Sequence, residues 1–95
     1  MPLFVIERNF AERLEMNRDD ADEVRIVNED VGVSWLFSFL SADKKKTYCL
    51  YEAPSIEAIK RAAERAGIPA DAITEVTGHI SNQGEVAEMR PEAYV

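Results

Sequence analysis

The stretch Val33–Pro69, VSWLFSFLSADKKKTYCLYEAPSIEAIKRAAERAGIP, leaves this chain few folds to choose from. Val33–Ser41 is dense in aromatic and aliphatic residues that suit a pleated, partly buried surface. Ala42–Lys45 is polar and reads as a turn, and Lys46–Ala53 is a second strand rich in Thr, Tyr, Cys and Leu. Pro54 ends that strand. Ser55 is placed to cap a helix, Glu57 suits the positive end of its dipole, and Ile56, Ile59, Ala62, Ala63 and Ala66 form one apolar stripe. Gly67 supplies the C-terminal turn, Ile68 the apolar contact beyond it and Pro69 the stop. A symmetric turn puts Trp35, Phe37 and Phe39 on one face of the hairpin with Glu52, Leu50 and Tyr48. Ser34, Leu36, Ser38 and Leu40 then share the other face with Tyr51, Cys49 and Thr47, and a slip of one residue exchanges the faces of one strand. Large aromatics complement a stripe of alanines, so the aromatic face is expected under the helix. Ser38, Cys49 and Tyr51 are expected to face outward, as one wall of a cavity shared with a partner.

The remaining segments complete a sheet around this hairpin. Leu3–Arg8 is a short apolar run, and so near the N-terminus it needs neighbours on the sheet to stay ordered. Asn9–Asn17 contains Phe10, Leu14 and Met16 without a clean period and reads as a loop. Asn17 and Asp20 resemble a weakened capping box, after which Ala21, Val24, Val27 and Val31 follow helical spacing to Gly32. Beyond the second helix, Ala72–Ile80 reads as one strand, Ser81–Glu85 as a polar break and Val86–Val95 as a mildly apolar tail. The order is β-α-β-β-α-β, an α+β, ferredoxin-like split pattern. Right-handed crossovers then give a four-stranded antiparallel sheet in spatial order 4-1-3-2 with two helices on one face. Residues 1–80 form the domain, and 81–95 a C-terminal tail on the domain or on a partner subunit.

With helices on one face only, the two-sided apolar character of Val33–Ser41 would leave an open apolar face unusual for a soluble monomer. A homodimer with its two sheets face to face, the dimeric α+β barrel, covers it; partial cover by the tail is the rival. The net charge of −7 opposes nucleic acid and anionic membrane surfaces as partners, since both require a basic footprint. The lysines and arginines in Lys44–Lys46 and Lys60–Arg65 read as a solvated turn and a solvated helix face. A single cysteine excludes an internal disulfide and a multi-cysteine metal cluster. The N-terminus lacks the pattern of a signal peptide, and no apolar run is long enough to span a bilayer, so a cytoplasmic location is the expectation.

Few residues carry chemistry. Cys49 is a candidate thiolate ligand or nucleophile, although a mid-strand cysteine is more often a small buried hydrophobe. His79, the one histidine, is a candidate base or metal ligand at a strand end, where an exposed imidazole is the commoner case. Together they are weak metal candidates unless a two-fold axis doubles the donor count. Glu7 and Glu52 are candidates for an acid–base pair if their strands are neighbours, and Tyr51 for orienting a substrate. No phosphate-cradling glycine loop, HExxH pattern or nucleophile elbow occurs.

FVIERNF near the start, VSWLFSFLS, and KTYCLYEAPSIEAIKRAAERAGIPADAITEV resemble a family of small bacterial domains of unknown function, some members of which are described as nickel-binding. The resemblance runs from Leu3 to Val76 and is most specific around Tyr48–Pro54 and Ala66–Pro69. It implies a ferredoxin-like domain that dimerises as an α+β barrel, and nickel as the metal to consider. Glu7, Arg8, Ser38, Cys49, Tyr51 and Glu52 look like the family's polar and cysteine positions. The leading reading is a small homodimeric binding protein holding a metal ion or small ligand at the dimeric sheet face, with Glu7, Ser38, Cys49, Tyr51 and Glu52 around it. A cofactor-free monooxygenase or isomerase of the same barrel type and a ligand-free interaction module are the alternatives.

Overall fold

Two helices lie across one face of a four-stranded antiparallel sheet in the computed structural model, which describes residues 1–94. The elements in order are β1 (Leu3–Asn9), α1 (Arg18–Val31), β2 (Ser34–Leu40), β3 (Lys46–Glu52), α2 (Ile56–Ala66), β4 (Ala72–Val76), β5 (Gly78–Ile80) and β6 (Val86–Glu88), followed by a 3₁₀ turn at Pro91–Tyr94. The sheet order is β2-β3-β1-β4, which is the expected ferredoxin-like arrangement. β1 is therefore an interior strand, paired with β3 on one side and β4 on the other. Among the described residues no helix is long and apolar enough to cross a membrane.

Local chemistry sets both helices where the sequence pattern put them. The capping box of α1 is complete: Asp20 N–H donates to the Asn17 side chain at 2.9 Å, and Asn17 N–H to the Asp20 carboxylate at 3.2 Å. α2 starts on Ser55, whose hydroxyl accepts from Ala58 N–H at 3.2 Å. Gly32 and Gly67 close the two helices at φ 84° and 69°, a conformation that costs glycine nothing.

The face assignment differs from the sequence expectation. The core joins Phe4 and Ile6 of β1 with Cys49 and Tyr51 of β3 and with Ala58, Ile59 and Ala62 of α2. Cys49, Ser38 and Tyr51 thus face the helices, not a partner. Phe37 and Phe39 pair with Leu50 and Tyr48 as expected, yet they occupy the open face, where Phe39 is 66% exposed. Trp35 is separated from them by a β-bulge: Trp35 lies opposite Tyr51, Phe37 opposite Leu50, and Leu36 is the extra residue. One added residue exchanges inside for outside on everything before it, so Trp35 joins the helix side. The alanine stripe admits that arrangement because Tyr51 and Phe4 already supply bulk beneath it.

The run Ala72–Ile80 is not a single strand. β4 ends at Val76, and Gly78–Ile80 turns away to form a separate hairpin with Val86–Glu88. Gly78 permits this pairing, since a Cβ there would lie 2.6 Å from the Ala87 carbonyl oxygen. The hairpin returns the tail to the open face, where the Tyr94 ring sits 5.6 Å from that of Phe37. Part of the open face is thereby covered from within the chain.

Candidate functional site

The helix-facing side of β2 and β3 does not fill completely. A cavity of about 180 Å³ remains between the sheet, α1 and the segment 10–16. Its floor carries Trp35, Ser38, Cys49 and Tyr51, and the wall is almost wholly apolar. Val24 of α1 overhangs it, and the inward stripe of that helix is only half-buried for this reason. The roof is formed by Phe10, Leu14 and Met16. Two backbone hydrogen bonds tie that roof to the β2–β3 turn, Phe10 N–H to the Lys45 carbonyl at 2.8 Å and Leu14 N–H to the Lys44 carbonyl at 2.7 Å. An outer groove shares Leu14, Met16 and Leu40 with the cavity and adjoins it.

The polar atoms on the floor form a bonded chain. Trp35 Nε1 donates to Ser38 Oγ at 2.9 Å, Ser38 Oγ–H lies 2.8 Å from Cys49 Sγ, and Cys49 Sγ–H reaches Thr47 Oγ1 at 3.4 Å. The thiol is thus occupied by two hydroxyl partners, and no base contacts it. Asn28 of α1 is buried and donates to the Tyr51 hydroxyl at 3.4 Å. Arg8, 3% exposed, donates through Nη1 to the Pro69 carbonyl and carries its guanidinium 5.6 Å from the centre of the Tyr51 ring.

Burial pushes the Tyr51 hydroxyl above its ordinary value of 10.0, against the pull of Arg8 and Asn28 in the other direction. A raised folded-state value means that the fold keeps its full stability below about pH 10 and loses part of it as pH rises through the folded value. Absorbance titration should show a phenolate component that appears above pH 10.0 and disappears in Tyr51→Phe. Coincident titration of wild type and variant would contradict the burial of this hydroxyl.

The other expected site residues lie elsewhere. β1 and β3 are neighbours, but Glu7 pairs with Tyr48 and Glu52 with Leu3, well apart along the ladder. That separates the two carboxylates' positions by four residues, about 13 Å at the usual strand rise, too far for an acid–base pair. Glu7 instead meets Lys46 Nζ at 3.4 Å, which raises the lysine's affinity for its proton. Glu52 lies 3.9 Å from the N-terminal amine. His79 is exposed on the β5–β6 hairpin, whereas Cys49 is buried beneath the helices. Among the described residues no three His, Cys, Asp or Glu side chains gather as a metal-ligand group. The donor set of one copy therefore does not fit a nickel ion.

Sequence reasoning found the floor but missed the roof and Asn28. The aperiodic apolar residues of 10–16 were a signal: such residues in a loop need something to cover. Ser38, Cys49 and Tyr51, expected to border a space at a dimeric sheet face, line the cavity on the helix side of the sheet, and the open face carries a hollow of about 120 Å³ by Val5, Phe37, Leu50 and Met89.

Residues 4–76 match the family described as nickel responsive protein SCO4226-like. No curated protein matches the chain. Among solved structures, the crystal structure of SCO4226 from Streptomyces coelicolor A3(2) is similar at 28% identity, with a TM-score of 0.60, over 78% of this chain and 94% of that one.

Proposed function

The chain belongs to the SCO4226-like family of nickel responsive proteins, and on that premise we propose that it is a small binding protein that takes up a compact, largely apolar molecule in the cavity under segment 10–16. The observation that carries this reading is an apolar space of about 180 Å³ inside a domain this small, floored by bonded polar groups and roofed by a loop. A space of about 150 Å³ with apolar walls is known to hold benzene. Nickel responsiveness comes with the family's name; the reading assigns the metal to no residue of this chain.

Trp35 is the single tryptophan and lines the cavity, so it reports occupancy directly. Titration with benzyl alcohol, followed by Trp35 emission, should give a saturable change that is absent in a variant with the cavity filled. A strictly linear, unsaturable response in wild type would sink the proposal.

A second reading, that two copies pair through the open face, is favoured by the exposure of Phe39 and Tyr48 there. Light scattering at micromolar concentration should return about twice the chain mass of 10.7 kDa. A mass of one chain would mean that the cover supplied by Met89 and Tyr94 suffices.

A further inference from the structure

Arg8 is a cation buried at the edge of an apolar cavity, and among the described residues its charge has no counter-ion. Among the described residues no carboxylate lies within salt-bridge distance of it. Its partners are a neutral carbonyl, that of Pro69, and the π face of Tyr51. A guanidinium has five N–H donors in a planar fork. Yet no buried side-chain nitrogen or oxygen among the described residues lacks a partner. Arg8 lines the cavity, and its donors beyond the one to Pro69 are not left fully enclosed without a partner. A buried charge left unpaired is costly, and proteins normally pair it or neutralise it. Arginine cannot be neutralised, so the remaining way to balance this one is an anion that arrives from outside.

We infer that the cavity is a site for a small apolar carboxylate, whose carboxyl group pairs with Arg8 while its hydrocarbon part fills the space under Phe10 and Leu14. This rests on the reading of the cavity as a binding site and goes on to name the class of ligand. A cavity of about 180 Å³ sets the size at a single ring or a branched chain of similar bulk. Carboxylate geometry suits the guanidinium fork, which can donate two parallel bonds. Tyr51, whose hydroxyl accepts from Asn28 and keeps its own O–H to donate, offers a second polar contact on the same floor. The net charge of −7 opposes the approach of an anion, but at physiological ionic strength this repulsion is screened beyond roughly 8 Å. Inside the cavity the nearby Arg8 dominates, because its field is screened less there than in bulk water.

The test compares benzoate with benzyl alcohol, two probes of nearly equal shape of which only one is an anion at neutral pH. Binding is read by Trp35 emission and by calorimetry on the wild-type chain, and on Arg8→Met and Arg8→Lys. Benzoate should bind wild type tighter than benzyl alcohol by roughly tenfold or more, the usual scale for a hydrogen bond to a charged group. Arg8→Met should lose that preference and keep benzyl alcohol, and Arg8→Lys should retain part of it. Equal or tighter binding of benzyl alcohol to wild type overturns the carboxylate assignment and leaves the binding site standing. Preference for benzoate in a folded Arg8→Met also overturns it. Failure of both probes to bind wild type removes the cavity reading itself. If Arg8→Met does not fold, the wild-type comparison and Arg8→Lys decide.

Discussion

Ile59→Ala should destabilise the protein by about 2–5 kcal/mol, the range for truncating a fully buried isoleucine. Ile59 is 1% exposed and sits at the centre of the contact between α2 and the sheet. The lost methyl groups leave a void that Ala58, Ala62 and Ala63 are too small to fill. For a chain of this length, each kcal/mol moves Tm by roughly 4–8 °C, so a fall on the order of ten degrees or more is expected. Leu14→Ala makes the informative contrast. Leu14 is half-buried and borders space on its inner side, so its truncation should cost no more than about 1 kcal/mol. Thermal unfolding of both variants tests the distinction between core and cavity. Equal losses at the two positions would mean that the space under 10–16 closes up in solution.

Cys49→Phe should abolish uptake of a cavity probe while leaving a folded chain. Cys49 points to the helix side and belongs to both the core and the cavity floor. A phenyl ring there has somewhere to go, namely the space over Ser38 and below Leu14. It must break the contacts to Ser38 and Thr47, and some overpacking follows, at a cost of roughly 1–3 kcal/mol. Benzyl alcohol affinity should drop by well over an order of magnitude, since the ring takes the volume the ligand needs. Retention of wild-type affinity in this variant would place the probe outside the cavity.

Legibility in the sequence followed the range of the interactions. Asn17, Gly32, Ser55 and Gly67 act on residues within one helical turn, and their roles were readable one by one. The sheet order also followed, because alternating elements and right-handed crossovers admit few arrangements. The burial of the Ser38–Cys49–Tyr51 face was not readable, since it depends on which face α2 packs against. The bulge at Leu36 was equally hidden: it carries no glycine or proline to mark it, and it redirects Trp35 by a single added residue. Thr77 is a similar case, where an apparently continuous β pattern contains the point at which the chain leaves one sheet for another. Arg8 stands out in the sequence only through the family resemblance, because its burial depends on Pro69, sixty-one positions away, whose carbonyl accepts from it.

The interior position of β1 shapes how this protein must be made. Leu3, Phe4, Val5 and Ile6 leave the ribosome before both of their hydrogen-bonding neighbours, β3 and β4, which are among the later segments. At roughly 5–20 residues per second, translation leaves this apolar strand without its partners for several seconds. During that interval it is an unpaired edge on a nascent chain, the kind of surface that recruits chaperones or other strands. The acidic run from Asp19 to Glu23, synthesised next, gives the emerging segment a charge that discourages self-association before its proper neighbours arrive.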